Sequence, residues 1–532
     1  MKKIFYNGTI ITMEAPLYVE AVLVNNGIIE KIGTFDQLTT IEPDAKKVDL
    51  QQKTMMPAFI DAHGHFSSYA NAQLQVPLEG VNNFEEIGQR IGEFIQSNQI
   101  KDGEWVVAKG YDHNSLAEKC HPDVKFLDDV APNNPVILQH QSGHCGVLNS
   151  KALADLKIDK NTPAPVGGVI GIENGQLTGY MEEEAYIQSI KKVPMADLGQ
   201  MISAYKRAQK KYFSYGITTV QEGMMVEQML PLYKSLLDSG ILEIDVVGYP
   251  DINSMDKIKK AFGESINKYH EHFKIGGYKI ITDGSPQMKT AWMKTPYYGT
   301  KNEVGYGTQT NDQVVLAVEK ATVEKTQILA HCNGDAAIQQ YIDAIKKVAL
   351  TKSDITKLRP VIIHSQLITE EQLDQVAELN IIPSFFVAHV YHWGDVHIKN
   401  FGFERAKLIS PAKYALDKGV TFTFHQDAPV IEPDMLETVQ CAVTRKTKEG
   451  VLLGEEQTIP VIEALKAVTI NGAYQYFEEN TKGSIKEGKN GDFVILSENP
   501  LKVKPDKIKE ILVLETIKDG ETVFKIKKGE EN

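Results

Sequence analysis

Cysteine is scarce and scattered in this chain of 532 residues: Cys120, Cys145, Cys332 and Cys441 are its four, and no two form a CxxC pair. That spacing excludes a disulfide framework and a zinc ribbon, and isolated thiols read as the reduced cysteines of a cytoplasmic protein. Long apolar runs are missing too. No window reaches the roughly 18 residues of a membrane span. The opening "MKKIFYNGTIITM" is broken by Asn7 and Gly8, with no small-residue cleavage site after it. There is no basic tract, and the net charge is −13. Nucleic acid and anionic membrane both require a cationic footprint, so neither is expected as a partner. The apolar fraction of 42% and charged fraction of 24% are ordinary for a globular protein.

What is present is organised in two patterns. At both ends, "KIFYNGTIITM", "EAVLVNNGIIEKIG", "GDFVILSENP" and "EILVLETIKDGETVFKIKKG" alternate apolar and polar residues around Asn-Gly or Asp-Gly turns, the strongest short hairpin signals. Residues 1–57 and 480–532 are therefore expected to form one small β-sandwich domain built from both termini. Between them, short apolar runs alternate with helical segments such as "MISAYKRAQKKYFSY", "QVVLAVEKATVEK", "TEEQLDQVAEL" and "PAKYALDKG". The runs are "PAFIDAHGH", "GITTVQEG", "IDVVGYP", "GGYKIITDG", "QILAHCNGD", "PVIIHSQL", "IIPSFFVAH" and "VTFTFHQDAP". Alternating strands and helices predict a parallel sheet, and eight such units suit an α/β fold of the (β/α)8 TIM-barrel type over residues 58–479. A doubly wound open sheet is the alternative. The long stretch 66–215 follows the first strand as an insertion with strands of its own, expected over the active-site face.

The strand ends carry the chemistry. Strand side chains alternate faces, so Asp61, His63 and His65 share one face at the end of an apolar run. Buried imidazole and carboxylate groups are costly unless paired or bound to a metal. The later strands end in Lys279, His331, His364 and Asp427, and strands of a barrel converge on one mouth. Imidazole and carboxylate suit Zn²⁺ and related divalent ions.

In order, "PAFIDAHGH", "YKIITDGS", "AHCNGDAAI", "VIIHSQ" and "FHQDAPV" resemble the metal motifs of the amidohydrolase superfamily. They are most similar to its third amidohydrolase group, the branch of N-substituted formamide deformylase-like proteins. "YDHN", "SGHCGVLNSKAL", "GQLTGYMEE", "SFFVAHVYHWGD", "ALKAVTINGAYQY" and "KGSIKEGKNGDFVIL" extend the resemblance over nearly the whole chain. His425, where that family commonly has a small residue, and Cys332 depart from its pattern. The resemblance implies a centre of two divalent ions, zinc first, with manganese or iron as alternatives. His63, His65 and Asp427 would hold one and His331 and His364 the other. A protonated lysine has no lone pair to offer, so Lys279 is expected to carry a CO2-derived carboxylate that bridges them. The opposing reading pairs an unmodified Lys279 with Asp283 beside a single ion. The implied reaction is hydrolysis of an amide, N-formyl or N-acyl C–N bond of a small molecule by metal-bound hydroxide, with Asp427 as general base and then acid.

Other residues have weaker warrants. His140 and His144 flank Ser142-Gly143 in the insertion and are read as substrate-binding or plain loop. His389 and Trp393, leaving the seventh strand with His392 and Asp395, suit a pocket wall. Glu222 ends the second strand, and Glu182 is a pocket candidate by resemblance. Asp61 reads as structural and Asp335 as a supporting residue. "YHEHF" is expected in a helix, where His270 and His272 diverge, and His113 and His121 stand in no recognisable pattern. An aminohydrolase-type deaminase is the first rival; such enzymes carry a glutamate soon after the fifth-strand histidine, whereas this chain reads "HCNGDAA". The second is a catalytically silent binding protein of the same fold, which has no need to keep every ligand. A homodimer is the default assembly.

Overall fold

The computed structural model describes residues 2–194 and 196–527. The chain divides into two compact units, Met1–Tyr69 with Ala208–Asn532, and Ala70–Arg207.

In the first unit, strands from both ends of the chain share a sheet. Phe493–Leu496 pairs antiparallel with Thr54–Pro57, which pairs parallel with Thr9–Ile11, and Val513–Lys518 and Glu521–Lys525 continue on the far side. A second sheet runs Ile28–Gly33, Ala21–Asn25, Lys2–Tyr6, Lys46–Asp49. Phe5, Val22 and Val24 of that sheet pack with Ile10, Met55, Phe493 and Ile517 of the other in one buried cluster.

The eight apolar runs are all strands: β1 Phe59–Ile60, β2 Ile217–Met225, β3 Asp245–Pro250, β4 Gly277–Ile281, β5 Gln327–Cys332, β6 Val361–His364, β7 Ile382–Phe385 and β8 Thr423–Phe424. All their pairings are parallel. β1, β2 and β3 pair in turn, and β4 to β8 form a second run in sequence order. β3 also pairs with Phe273–Ile275, which Gly276 separates from β4. A side chain at Gly276 would meet the Tyr249 ring at 2.8 Å, so glycine is what lets the strand bend there. One bent strand thus serves both sheets, and Asp251 bridges Lys279 between β3 and β4. At the other edge, Asp427 N donates to His63 O at 3.2 Å and His65 N to Ala428 O at 2.9 Å.

The expected helices are present as Leu198–Ser214, Asn311–Val323, Glu370–Glu378 and Ala412–Asp417. Two begin with capping boxes, Thr310 with Gln313 and Thr369 with Gln372, which satisfy otherwise orphaned N–H groups reciprocally. "YHEHF" is not helical. Glu271 and His272 take positive φ in a turn that delivers Phe273 into its strand, and His272 Nδ1 lies 2.7 Å from Asp245 Oδ1. Among the described residues no helix is long and apolar enough to cross a membrane.

The second unit holds a six-stranded mixed sheet. Gln75–Pro77, Val106–Tyr111 and Val136–His140 run parallel; Cys145–Leu148, Gln176–Glu183 and Gly168–Glu173 follow antiparallel. Val76, Ile87, Ile91, Val106, Leu138 and Val147 fill its core.

Candidate metal centre

The six residues read from the strand ends lie in one cluster, with His63, His65 and His364 around Asp427 and Lys279 and His331 beside them. His63, at the end of β1, is buried, with Nε2 3.4 Å from Asp427 Oδ1. His65 Nε2 lies 3.3 Å from the same oxygen, and His364 Nε2, closing β6, lies 3.8 Å from Oδ2. Ligand atoms of His63, His364 and Asp427 all fall within 4.8 Å of one another. Lys279, buried on β4, places Nζ 3.3 Å from His63 Nε2. His331, on β5, faces His364 with ring centroids 4.6 Å apart. His65 and His331 are partly open, at 31% and 20% side-chain exposure, so the cluster keeps a route to solvent.

Each ring is held by neighbours. Gln221 on β2 accepts from His63 Nδ1 at 2.5 Å and is itself anchored on Ala62 O and Tyr476 OH. That leaves Nε2 facing Asp427, the arrangement by which supporting contacts aim an imidazole at a metal. Gly223 makes room: a Cβ there would stand 2.6 Å from His63 Cε1. His364 Nδ1 meets His425 Nε2 at 3.1 Å, and His425 Nδ1 meets Ser384 Oγ at 2.9 Å. His331 Nδ1 lies 3.3 Å from Asp283 Oδ1. The hydrogen bonds Asp283 accepts come from the backbone N–H groups of Trp292, Asn333 and Gly334, so its carboxylate is already engaged away from Lys279. His364 and Asp427 both hold positive φ, 71° and 56°, a backbone state uncommon for side-chain-bearing residues outside turns and functional sites.

The electrostatics follow from burial. Desolvation, reinforced by Lys279 and neighbouring imidazoles, pushes His63 well below the ordinary histidine range. Burial, then His331 and His425, does the same to His364. Both rings are therefore neutral, the state a metal ligand needs. Burial raises Asp427, but His65, His425 and Lys279 outweigh it and hold its carboxylate ionised. Burial lowers Lys279 to about 8, against the opposing pull of Asp427 and Cys332. Asp427 Oδ1 and His331 Nδ1 are buried without a hydrogen-bond partner. A buried ionised oxygen left so is expensive, and neutral imidazoles around it form a donor set suited to a divalent cation. The residues fit the group.

The remaining candidates are spread more widely. Glu222 is buried, accepting from Ser67 and Tyr233, and burial raises its pKa. His389 is buried beside His397, Nδ1 to Nε2 3.2 Å, with the Trp393 ring centroid 4.6 Å away. His392 and Asp395 bond Glu437 and Thr447. Asp61 Oδ1 accepts weakly from His63 N at 3.4 Å. Asp335 accepts from Lys294 N at the start of the helix Asp335–Ala349. His140, His144 and Glu182 belong to the other unit, where His144 Nδ1 lies 3.1 Å from Glu183 and Glu182 accepts from Tyr180 OH. Sequence reasoning missed Gln221, adjacent to the Glu222 it singled out; facing alternation on β2 was the available signal, since neighbours in a strand point opposite ways.

Comparison with known proteins adds a second line. Residues 46–524 match the family described as the amidohydrolase family. YtcJ of Bacillus subtilis (strain 168), named as an amidohydrolase, is 27% identical over 542 residues, covering 98% of this chain and 99% of that protein. N-substituted formamide deformylase of Arthrobacter pascens is 27% identical over 520 residues, 94% of each chain. Among solved structures, an uncharacterized metal-dependent hydrolase from Pyrococcus horikoshii OT3 aligns with a TM-score of 0.73 and 25% identity, over 95% of this chain and 99% of that one.

Proposed function

Because the chain belongs to the amidohydrolase family, we propose that it hydrolyses an amide, N-formyl or N-acyl C–N bond of a small molecule at the cluster around Asp427. The observation that carries this reading is the Asp427 carboxylate: buried, ionised, lacking a hydrogen-bond partner on Oδ1, and faced by His63 and His65. The same reading takes β1 to β8 as one closed (β/α)8 barrel, supported by the bent strand at Gly276 and by the bonds joining His63 and His65 to Asp427 and Ala428. It takes the two terminal sheets with their shared apolar cluster as a β-sandwich.

His63, His65 and Asp427 would hold one divalent ion, zinc first, and His331 and His364 a second. When bound, such ions acidify water and polarise a carbonyl oxygen. Asp427 takes the proton of the attacking water and returns it to the departing nitrogen, acting as base and then acid. Gln221 and His425 fix the rings of His63 and His364 while this happens. Lys279 is the anion-forming partner. Its pKa, lowered to about 8, leaves roughly a tenth of the amine neutral at pH 7. That amine adds to CO2 with loss of one proton, giving a carbamate beside His63.

A screen of N-formyl, N-acyl and cyclic amides with Zn²⁺ or Mn²⁺ supplied tests the reading. Carboxylate and amine products that disappear in Asp427→Asn support it. Ammonia release from a ring amine points to the deaminase instead, and undiminished turnover in folded Asp427→Asn overturns the assignment of the base.

A further inference from the structure

A second group of ligand atoms lies in the unit Ala70–Arg207. Val106–Tyr111 and Val136–His140 are adjacent parallel strands, and Tyr111 pairs with His140 across them. The register slips at Gly110, whose φ is 104° and where a Cβ would strike Glu79 Oε1 at 2.5 Å. A bulge of this kind re-aims the residues after it. It brings Asp112 and His113 round onto the end of the neighbouring strand. His113 Nδ1 lies 3.2 Å from His140 Nε2, His140 Nε2 3.4 Å from Asp112 Oδ1, and His113 Nδ1 3.9 Å from the same oxygen.

From this juxtaposition we infer that Asp112, His113 and His140 form a cation site in the inserted unit, for a borderline divalent transition ion with zinc first. The spacing is the first reason. Ligand atoms about 2.0–2.1 Å from a tetrahedral ion stand roughly 3.4 Å apart, and the three separations of 3.2, 3.4 and 3.9 Å bracket that edge. The chemistry is the second, since two imidazoles and one carboxylate are a familiar three-ligand set that leaves a fourth position open. Accessibility is the third: His113 and Asp112 keep 30% and 22% side-chain exposure, while His140 is buried beneath them. Ser142 Oγ lies 2.9 Å from His140 Nδ1, placed to accept its proton and leave the Nε2 lone pair for the ion. The His121 ring stacks on His113 at 4.1 Å, with its Nδ1 on Tyr111 OH, and so backs the site.

A competing arrangement uses the same atoms without an ion. Ser142 N lies 3.2 Å from His140 Nδ1 and could donate to it, so that Nε2–H bonds His113 or Asp112. Asp112 Oδ1 also accepts from Asn114 N and Nδ2 at 2.9 and 3.1 Å. Metal counting separates the two. Full-length protein stripped with a chelator is titrated with Co²⁺ and followed by its visible d–d absorption and by elemental analysis. His63→Ala/His364→Ala removes ligands of the barrel-strand centre only, and it is expected to retain one Co²⁺ per chain in a four-coordinate spectrum. Adding His113→Gln or Asp112→Asn, both at partly exposed positions, is expected to weaken that ion at least roughly 10–100-fold, with far-UV circular dichroism unchanged. Equal metal content and affinity with and without His113→Gln overturns the inference and leaves the hydrogen-bonded arrangement. A wild-type count that falls on His113→Gln yet is untouched by His63→Ala/His364→Ala upholds the inserted site while overturning the reading of the barrel-strand centre.

Discussion

Two buried lysines on the same bent strand, Lys274 and Lys279, stand in opposite surroundings. Lys274 reaches Glu478 and Tyr476 O. Beside it Lys482 holds Asp245 at 2.5 Å and Glu478 at 2.9 Å, while Lys518 and His272 complete the shell of Asp245 at 3.2 and 2.7 Å. Every charge there has an opposite charge. Lys279 meets an imidazole, and the Asp427 carboxylate that pulls on its charge has Oδ1 without a hydrogen-bond partner. The difference teaches that burial of charge alone does not mark a functional site; its company does, ammonium groups against carboxylates in one case and imidazoles around a carboxylate in the other. A cleft of about 770 Å³ lies beside the paired group, bounded by Asp245, His272, Lys274, Lys482 and Lys518, so volume alone points away from the orphaned carboxylate.

Removing one charge from each end puts that contrast at risk. Asp427→Asn is expected to lower kcat by roughly 10²–10⁴-fold with the melting temperature only modestly lowered, because surroundings that hold the carboxylate ionised favour the anion in the folded state. A large loss of stability with activity per folded molecule intact would erase the distinction. Asp245→Asn should do the reverse, costing about 3–5 kcal/mol as its lysines lose their partner, with kcat per folded molecule unchanged.

The pH dependence of that second variant has a definite sign. Burial raises Asp245, but Lys482, Lys518 and His272 outweigh it and hold the folded pKa far below the unfolded value near 3.9. Its stabilisation is therefore complete above that value and lost as pH falls further, so the gap between wild type and Asp245→Asn narrows below about pH 4. Lys482 works in the other direction. Burial lowers it, yet Asp245 and Glu478 raise it above the unfolded value near 10.4. The pair accordingly weakens again only as pH rises past that value. Denaturant titrations at pH 3, 7 and 11 would read both limbs.

Gly223→Ala sharpens the comparison within the centre itself. The added Cβ overlaps His63 Cε1 at 2.6 Å and Gly64 O at 2.8 Å, and the ring is pinned by Gln221. A cost of about 1–3 kcal/mol is expected, together with weaker metal retention in a chelator competition. Normal retention would mean His63 is free to move aside, contrary to the restraint described.

Most of the architecture was legible because alternation and turn chemistry are local. All eight strand runs formed strands, and the six strand-end residues came together although hundreds of positions separate His63 from Asp427. What escaped was set by neighbours across elements. Alternation in "TTVQEG" sets Gln221 on the face opposite Glu222, but its support of His63 is decided by the neighbouring strand. Asp112 and His113 meet His140 only because two strands are adjacent and one carries a bulge at Gly110. "YHEHF" misled in kind: helix-forming residues there adopt a turn, since His272 is drawn to buried Asp245.

His425 is where the comparison is most delicate, because a buried ring bonded at both nitrogens fits either end of the contrast. Its ring is fully buried and both nitrogens are used, Nδ1 by Ser384 Oγ and Nε2 by His364 Nδ1. If its role is to aim His364, then His425→Phe, which keeps the ring volume and removes both bonds, loosens the orientation of one ligand and little else. Metal affinity should then fall toward the lower end of the roughly 10–100-fold typical for supporting contacts, with a melting temperature close to wild type. Ser384→Ala, which removes only the outer bond, should fall in the same direction by less. A variant that melts early yet holds metal as tightly as wild type would move His425 to the side of Lys482 and Asp245, a paired polar group kept for stability. The sign of that one difference assigns the ring, since orientation acts on ligand affinity and packing acts on unfolding.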